Sequence, residues 1–278
     1  MNHPIDIAQQ LLAIEQLVGA DWYLPRNRNP LSEPTPAPGA RAAGAAAAMA
    51  AAPQRRPLAP PPPPEPVEIP AELSPEGKAS ALAALNNDEV SSCAKCVLCQ
   101  TRTQTVFGEG DPNADLVFVG EAPGADEDEQ GKPFVGKGGQ LLTKMITAMG
   151  LSREEVFIVN TLKCRPPGNR DPKRDELEAC WSILTRQLQI IRPKVIVTLG
   201  NPSTRSLLQT QAGITKLRGT WQTLPDHAPG LGGTKVMPTF HPSFVTRCYT
   251  AEVRGQAWSD LQMVMEELGL KTPTPKKE

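Results

Sequence analysis

The chain has 278 residues, a formal net charge of −1, 39% hydrophobic but only 4% aromatic residues, and 30 prolines. A charge so near neutrality excludes a strongly basic, nonspecific polyanion binder; any nucleic-acid contact has to come from a local basic face. The length allows one or two domains, but the prolines are so unevenly placed that part of the chain is not expected to fold.

In chain order, residues 1–24 come first. Ile5, Ile7, Leu11, Leu12, Ile14, Leu17 and Val18 recur at near-helical spacing and predict an amphipathic helix. It lacks the basic start and small-residue cleavage pattern of a secretion signal. No apolar run approaches the roughly 20 residues that span a bilayer. Residues 25–72 are mostly Pro, Ala and Arg, with a run of prolines near Pro60. Such a segment buries too little to offset its conformational entropy, and it is expected to be a disordered, polyproline II-like spacer.

Residues 73–278 read as one folded domain with a disordered tail. A short helix is predicted over 79–85. Strands are predicted over 116–119, 156–162, 195–199 and 236–240, and helices over 140–149, 175–191, 202–208 and 251–268. This alternation predicts a three-layer α/β/α domain on a mostly parallel sheet of about four strands. No G-x-G-x-x-G follows the first strand, so a dinucleotide is not implied.

The organising stretch is LVFVGEAPGADEDEQGKPFVGKGGQLL, residues 116–142. Its apolar start is that of a strand buried on both faces. Gly120 and Gly124 permit a tight turn and close backbone approach. The acidic cluster of Asp126, Glu127, Asp128 and Glu129 and the glycine-flanked Phe134 then fall at the carboxyl edge of the sheet, where open α/β sheets place ligands.

Six cysteines follow the pattern of a metal site more than of disulfides. Cys93 and Cys96 form a C-x-x-C pair, and Cys164 and Cys180 lie near enough in sequence to complete a set of four. Four thiolates suit tetrahedral zinc or a [4Fe–4S] cluster alike. Cys99 forms a second C-x-x-C with Cys96 and competes for a place, while Cys248 stands apart. His241 follows a strand at the edge that carries the acidic loop, whereas His3 lies in a tail and His227 in a Pro/Gly-rich loop. At that edge an imidazole could stabilise an anion, or be a surface histidine before a proline. Asn160 interrupts an apolar strand, and its amide could read a nucleobase edge or satisfy a neighbouring loop.

Together GEAPGADEDEQGKPFVG, the strand ending in Asn160, TLKCRPPGNRDP and FHPSF resemble the family 4 uracil-DNA glycosylases, the iron–sulfur branch of their superfamily. The resemblance covers about residues 93–268. It implies excision of uracil from DNA, double- or single-stranded, leaving an abasic site in base excision repair. It further implies a [4Fe–4S] cluster on Cys93, Cys96, Cys164 and Cys180, a uracil site of Glu121, Ala122, Phe134, Asn160 and His241, and catalysis by His241 with Glu121 or Glu127 holding the water. Ala122 stands where many members have glycine. A related branch that traps DNA covalently carries an Arg- and His-rich insert after the second motif. CRPPGNRDP contains no such histidine, which implies turnover. Arg165, Arg170, Lys173, Arg174, Arg218 and Arg247 are the candidate phosphate contacts, and Phe244 is either a wedge for the base stack or core. A monomer in the cytoplasm, associated with the nucleoid, is expected; its N-terminal helix docks either on the folded body or on a partner such as a repair or replication protein. Two other classes remain open: a metal-stapled nucleic-acid-binding module without catalysis, and a thiol redox protein. The segment after the C-x-x-C pairs does not look helical, which disfavours the second.

Overall fold

The computed structural model describes residues 73–226 and 230–271. The predicted N-terminal helix, the proline-rich segment, His3, His227 and the tail lie outside them.

Helix α1 (Pro75–Leu85) is capped by Ser74, whose hydroxyl accepts from the Gly77 amide at 3.1 Å, and it runs on into a wider turn over Asn86–Val90. A short edge strand β1 (Glu109–Gly110) precedes β2 (Leu116–Gly120). Next come α2 (Ala125–Gln130), α3 (Lys137–Ala148), β3 (Phe157–Asn160) and the long α4 (Arg174–Ile191). The chain continues through β4 (Val195–Leu199), α5 (Asn201–Leu208), α6 (Ile214–Leu217), β5 (Gln222–Thr223) and β6 (Lys235–Thr239), and ends in α7 (Pro242–Arg247) and α8 (Ala251–Glu267).

The sheet has six strands in the order β1-β3-β2-β4-β6-β5. The inner four are parallel, as the alternation predicts, and the two outer strands are antiparallel. Those outer strands are two residues long, too short to leave a hydrophobic period in the sequence, so they extend the expected four-stranded sheet. The acidic stretch expected as a loop is helix α2, with Asp128 turned inward so that its carboxylate accepts from the Thr103 amide at 3.0 Å.

Every residue of β2 is buried. Leu116 and Phe118 face one layer with Ile158, Val197 and Met237, against Leu142 and Ile146 of α3 and Leu261 and Val264 of α8. Val117 and Val119 face the other, with Val159 and Ile196, against Leu85 of α1 and Leu184 and Leu188 of α4. A strand covered on both sides needs no polar alternation, which is why its sequence is uniformly apolar. The chain leaves β2 toward β3 on one side, while β4 continues to β6 on the other. The carboxyl ends of β2 and β4 therefore flank the switch point at which such sheets open a crevice.

Candidate active site and thiol cluster

Gly120 closes β2 directly opposite Asn160, the last residue of β3. A Cβ at Gly120 would sit 2.3 Å from Asn160 Oδ1 and 2.5 Å from the Phe134 ring, so the glycine is the floor on which both side chains meet. Asn160 is 2% exposed, and its Oδ1 is buried without a hydrogen-bond partner among the described residues. Leaving such an acceptor unpaired costs about 1–3 kcal/mol. The backbone carbonyl of Asn160 is held from behind by the buried Lys163, whose Nζ donates to it at 2.7 Å.

Phe134 is a non-glycine residue in the left-handed region, at φ 53°. Such a backbone costs on the order of 1–3 kcal/mol and persists only where its surroundings enforce it. Glu127 enforces part of it: Oε1 accepts from the Val135 and Gly136 amides, each at 2.9 Å, and Oε2 accepts from the Gly124 amide at 3.0 Å. The start of α3 crosses so close that a Cβ at Gly139 would lie 1.9 Å from the Phe134 carbonyl oxygen.

His241 caps α7, with Pro242 in the first helical position, which needs no amide donor. Its Nδ1 accepts from the Ser243 amide at 3.1 Å, so the neutral ring carries its proton on Nε2. The imidazole centroid lies 5.8 Å from that of Phe134. Burial, with the charge of Arg247 added, lowers its pKa to about 4, so the ring is neutral at physiological pH. Glu121 behaves oppositely. Burial, with Asp171 added, raises its carboxyl to about 7.

The sequence-predicted residues thus gather at one edge: Asn160 and Phe134 over Gly120, His241 beside Phe134 and against Gly200, with Glu121 following Gly120 in the chain. Ala122 is turned toward the thiols, packing with Leu98, Leu162, Cys164, Cys180, Cys96 and Leu177. Cys164 and Cys180 are buried, and Cys93, Cys96 and Cys99 half-buried. Cys180 interacts electrostatically with Cys96 and Cys93, and Cys164 with Cys180 and Cys96. Cys99 lies beside Cys96, whereas Cys248 is exposed. Burial raises the Cys164 thiol to about 11, against the Arg102 guanidinium, which donates to its Sγ at 3.1 Å.

Not every expected surface cation is free. Arg218 donates to both carboxylate oxygens of the fully buried Asp260, at 2.8 and 3.2 Å, and lies over the Phe240 ring. It braces the turn before His241. Arg170 is tied to the buried Glu176 at 2.9 Å, and Arg174 to Glu178 at 2.7 Å. Arg165, Lys173 and Arg247 make no ion pair among the described residues. Phe244 is half-buried against the core, 5.1 Å from Phe240. Sequence reasoning missed Asp260 and Arg102, whose partners Arg218 and Cys164 lie 42 and 62 residues away, and it missed Lys163, which nothing in its local sequence marks as buried.

A doubly wound α/β domain with an aromatic, an unpaired amide and a neutral imidazole at its switch point is built to hold a flat, hydrogen-bonding ring. Comparison with known proteins makes that class particular. The model of the Uracil DNA glycosylase superfamily matches residues 107–262. A type-4 uracil-DNA glycosylase of Sulfurisphaera tokodaii is 46% identical over 187 residues, 64% of this chain and 81% of that protein. Those of Saccharolobus solfataricus and Archaeoglobus fulgidus are 45% and 43% identical, over 87% and 93% of their lengths. The chain belongs to the uracil-DNA glycosylase superfamily, among its type-4 members.

Gly120→Ala drives a methyl group into both Asn160 and the Phe134 ring. A shift of that size in a positioned group costs about 100-fold in kcat/KM, an outcome that steady-state kinetics on the substrate class named below would check.

Proposed function

We propose that the chain works in DNA repair as its family does: it is a hydrolase of N-glycosyl bonds that releases uracil from DNA and leaves an abasic site. The observation that carries the reading is the meeting of Phe134 and Asn160 over Gly120, with His241 beside Phe134. A base inside a duplex is out of reach, so the nucleotide has to swing out into the pocket, at a cost of a few kcal/mol. Phe134 stacks on the extruded ring. The Asn160 amide faces the O4 and N3 edge, its Nδ2 donating to O4 and its Oδ1 accepting from N3–H. That gives the orphaned Oδ1 its missing partner. Cytosine presents a donor and an acceptor in the reverse order and would leave both ends of the amide unpaired. Mismatches of that kind are rejected by about 10⁴-fold.

Breaking the glycosidic bond leaves positive character on the sugar and an anion on uracil. His241 meets that anion with its Nε2–H, as a neutral donor whose tautomer the Ser243 amide already sets. Glu121 holds the hydrolytic water. Glu127, the other acid expected there, has both oxygens engaged by backbone amides, so we assign it to holding the Phe134 loop. Arg165, Lys173 and Arg247 supply phosphate contacts.

We assign a [4Fe–4S] cluster to Cys93, Cys96, Cys164 and Cys180. What supports it is the gathering of these sulfurs: Cys180 interacts with Cys96 and Cys93, and Cys164 with Cys180 and Cys96. Arg102 donates to Cys164 Sγ, and Lys163, 1% exposed, lies against Cys164 and Cys180; burial lowers its pKa to about 7, and an anionic group at the sulfurs would raise it. When bound, the cluster serves as a structural staple. Cys164 and Cys180 would tie to Cys93 and Cys96 the segment between them, which presents Arg165 and Lys173.

No helix among the described residues is long and apolar enough to cross a membrane. We place the monomeric chain with its DNA in the cytoplasm, at the nucleoid, and assign the segment before Leu73, on its sequence alone, to docking a repair or replication protein.

A single-uracil oligonucleotide treated with the protein and then alkali is expected to break at the uracil. His241→Ala should slow this by about 10²–10³-fold, and a chain starting at Leu73 should cut like the whole. Binding without any break would favour the noncatalytic module instead. Protein purified without oxygen should be brown and contain iron, both lost in Cys164→Ser. With the Glu121 carboxyl near pH 7, its charged form grows as pH rises, so kcat/KM should climb through about pH 7 and then level. His241, already neutral, adds no inflection at its ordinary pKa. Glu121→Gln should remove both the climb and most of the rate.

A further inference from the structure

Glu127 holds the Phe134 loop by its amides alone, yet the loop also has carbonyls to satisfy, and a single side chain from outside the described motifs takes them. Arg153 lies between α3 and β3, 19 residues after Phe134. Its Nη2 donates to the Pro133 carbonyl at 2.8 Å, and its Nη1 to the Phe134 carbonyl at 3.2 Å and to Thr143 Oγ1 of α3 at 3.2 Å. The guanidinium is 19% exposed and sits 3.7 Å from Glu109 of the edge strand, which also neutralises Lys132 at 3.5 Å.

We propose that Arg153 is a positioning residue for base stacking: it holds the Pro133 and Phe134 carbonyls so that the ring of Phe134, in its left-handed backbone, stands over Gly120 at the angle an extruded base requires. The proposal rests on Phe134 being the stacking residue. The argument is one of geometry. A residue other than glycine at positive φ within a loop persists where the surrounding structure over-determines it. Here an acid fixes the amides that follow Phe134, and a base fixes the carbonyls of Pro133 and Phe134. The planar fork of arginine can reach two carbonyls and a hydroxyl at once, which a lysine ammonium on a flexible stem cannot do with the same geometry. Glu109 keeps the fork in place, tying the loop to the edge strand of the sheet. Among the described residues Arg153 makes no hydrogen bond or ion pair with Asn160 or His241, so its influence should reach the base through Phe134 alone.

The test compares Arg153→Ala, Arg153→Lys, Phe134→Ala and the double variant Phe134→Ala/Arg153→Ala. The readouts are kcat and KM on a uracil oligonucleotide, inhibition by free uracil, and thermal stability. Arg153→Ala is expected to raise KM and the uracil inhibition constant about 10-fold with a smaller change in kcat, as lost ground-state stacking does. Arg153→Lys should recover part of this. In the Phe134→Ala background, removing Arg153 should change neither constant further, because the group it positions is already gone. Additive losses in the double variant, or a lower melting temperature with KM and uracil inhibition unchanged, would overturn the proposal and leave Arg153 a purely structural residue. If Arg153→Ala does not fold, Arg153→Lys carries the same comparison. A Phe134→Ala variant with unaltered KM and uracil inhibition would instead remove the stacking reading of Phe134, and the proposal with it.

Discussion

The whole site depends on a missing side chain. β2 and β3 pair in parallel up to Gly120 and Asn160, and only a glycine at that last step lets an amide and a phenyl ring occupy the same small space above the sheet. With any Cβ there, Asn160 or Phe134 would have to leave. Because the strands are buried on both faces, the sheet cannot flex to make room. Rigid packing below and an exact fit above are therefore one constraint. It fixes which residues can meet, and it places them where the strand order reverses.

Around that floor the protein keeps polar groups in states that water would not allow. An amide oxygen is buried unpaired, an imidazole is held neutral with its proton on the outer nitrogen, and a carboxyl is raised to about 7. All three lie at the carboxyl edge of the sheet. Elsewhere the buried charges are tied down. Asp260 carries Arg218 and Thr239 Oγ1, and Glu176 carries Arg170 and the Lys173 amide. Asp260 and Glu176 are thus satisfied and hold turns, whereas the unpaired Asn160 oxygen stands over Gly120 beside Phe134.

The thiols lie on the far side of the same strand ends. Lys163 joins the two regions, its ammonium on the Asn160 carbonyl and its backbone next to Cys164. Ala122, one residue beyond Glu121, packs against the cysteines. The thiols and the ends of β2 and β3 are thereby packed as one unit.

Much of this was legible in the sequence because it is local. Apolar runs mark the four inner strands, and the segments at or after their carboxyl ends carry Phe134, Asn160 and His241. The family resemblance supplied their grouping. Helix boundaries shifted by a few residues, as frayed and capped ends do. The edge strands β1 and β5 left no trace, since two residues show no period. The acids of 126–129 were indistinguishable in sequence, yet the fold turns Glu127 to the loop amides and Asp128 to Thr103, leaving Glu129 exposed. Arg218 read as a surface cation until Asp260, 42 residues away, was found beneath it. The sequence by itself determined the elements, their order and the kinds of side chain at the sheet edge, because spacing and hydrophobicity act within a few residues. Only the tertiary structure decided which charge is paired, which acid is spent and which glycine is indispensable, because those depend on contacts between segments far apart in the chain.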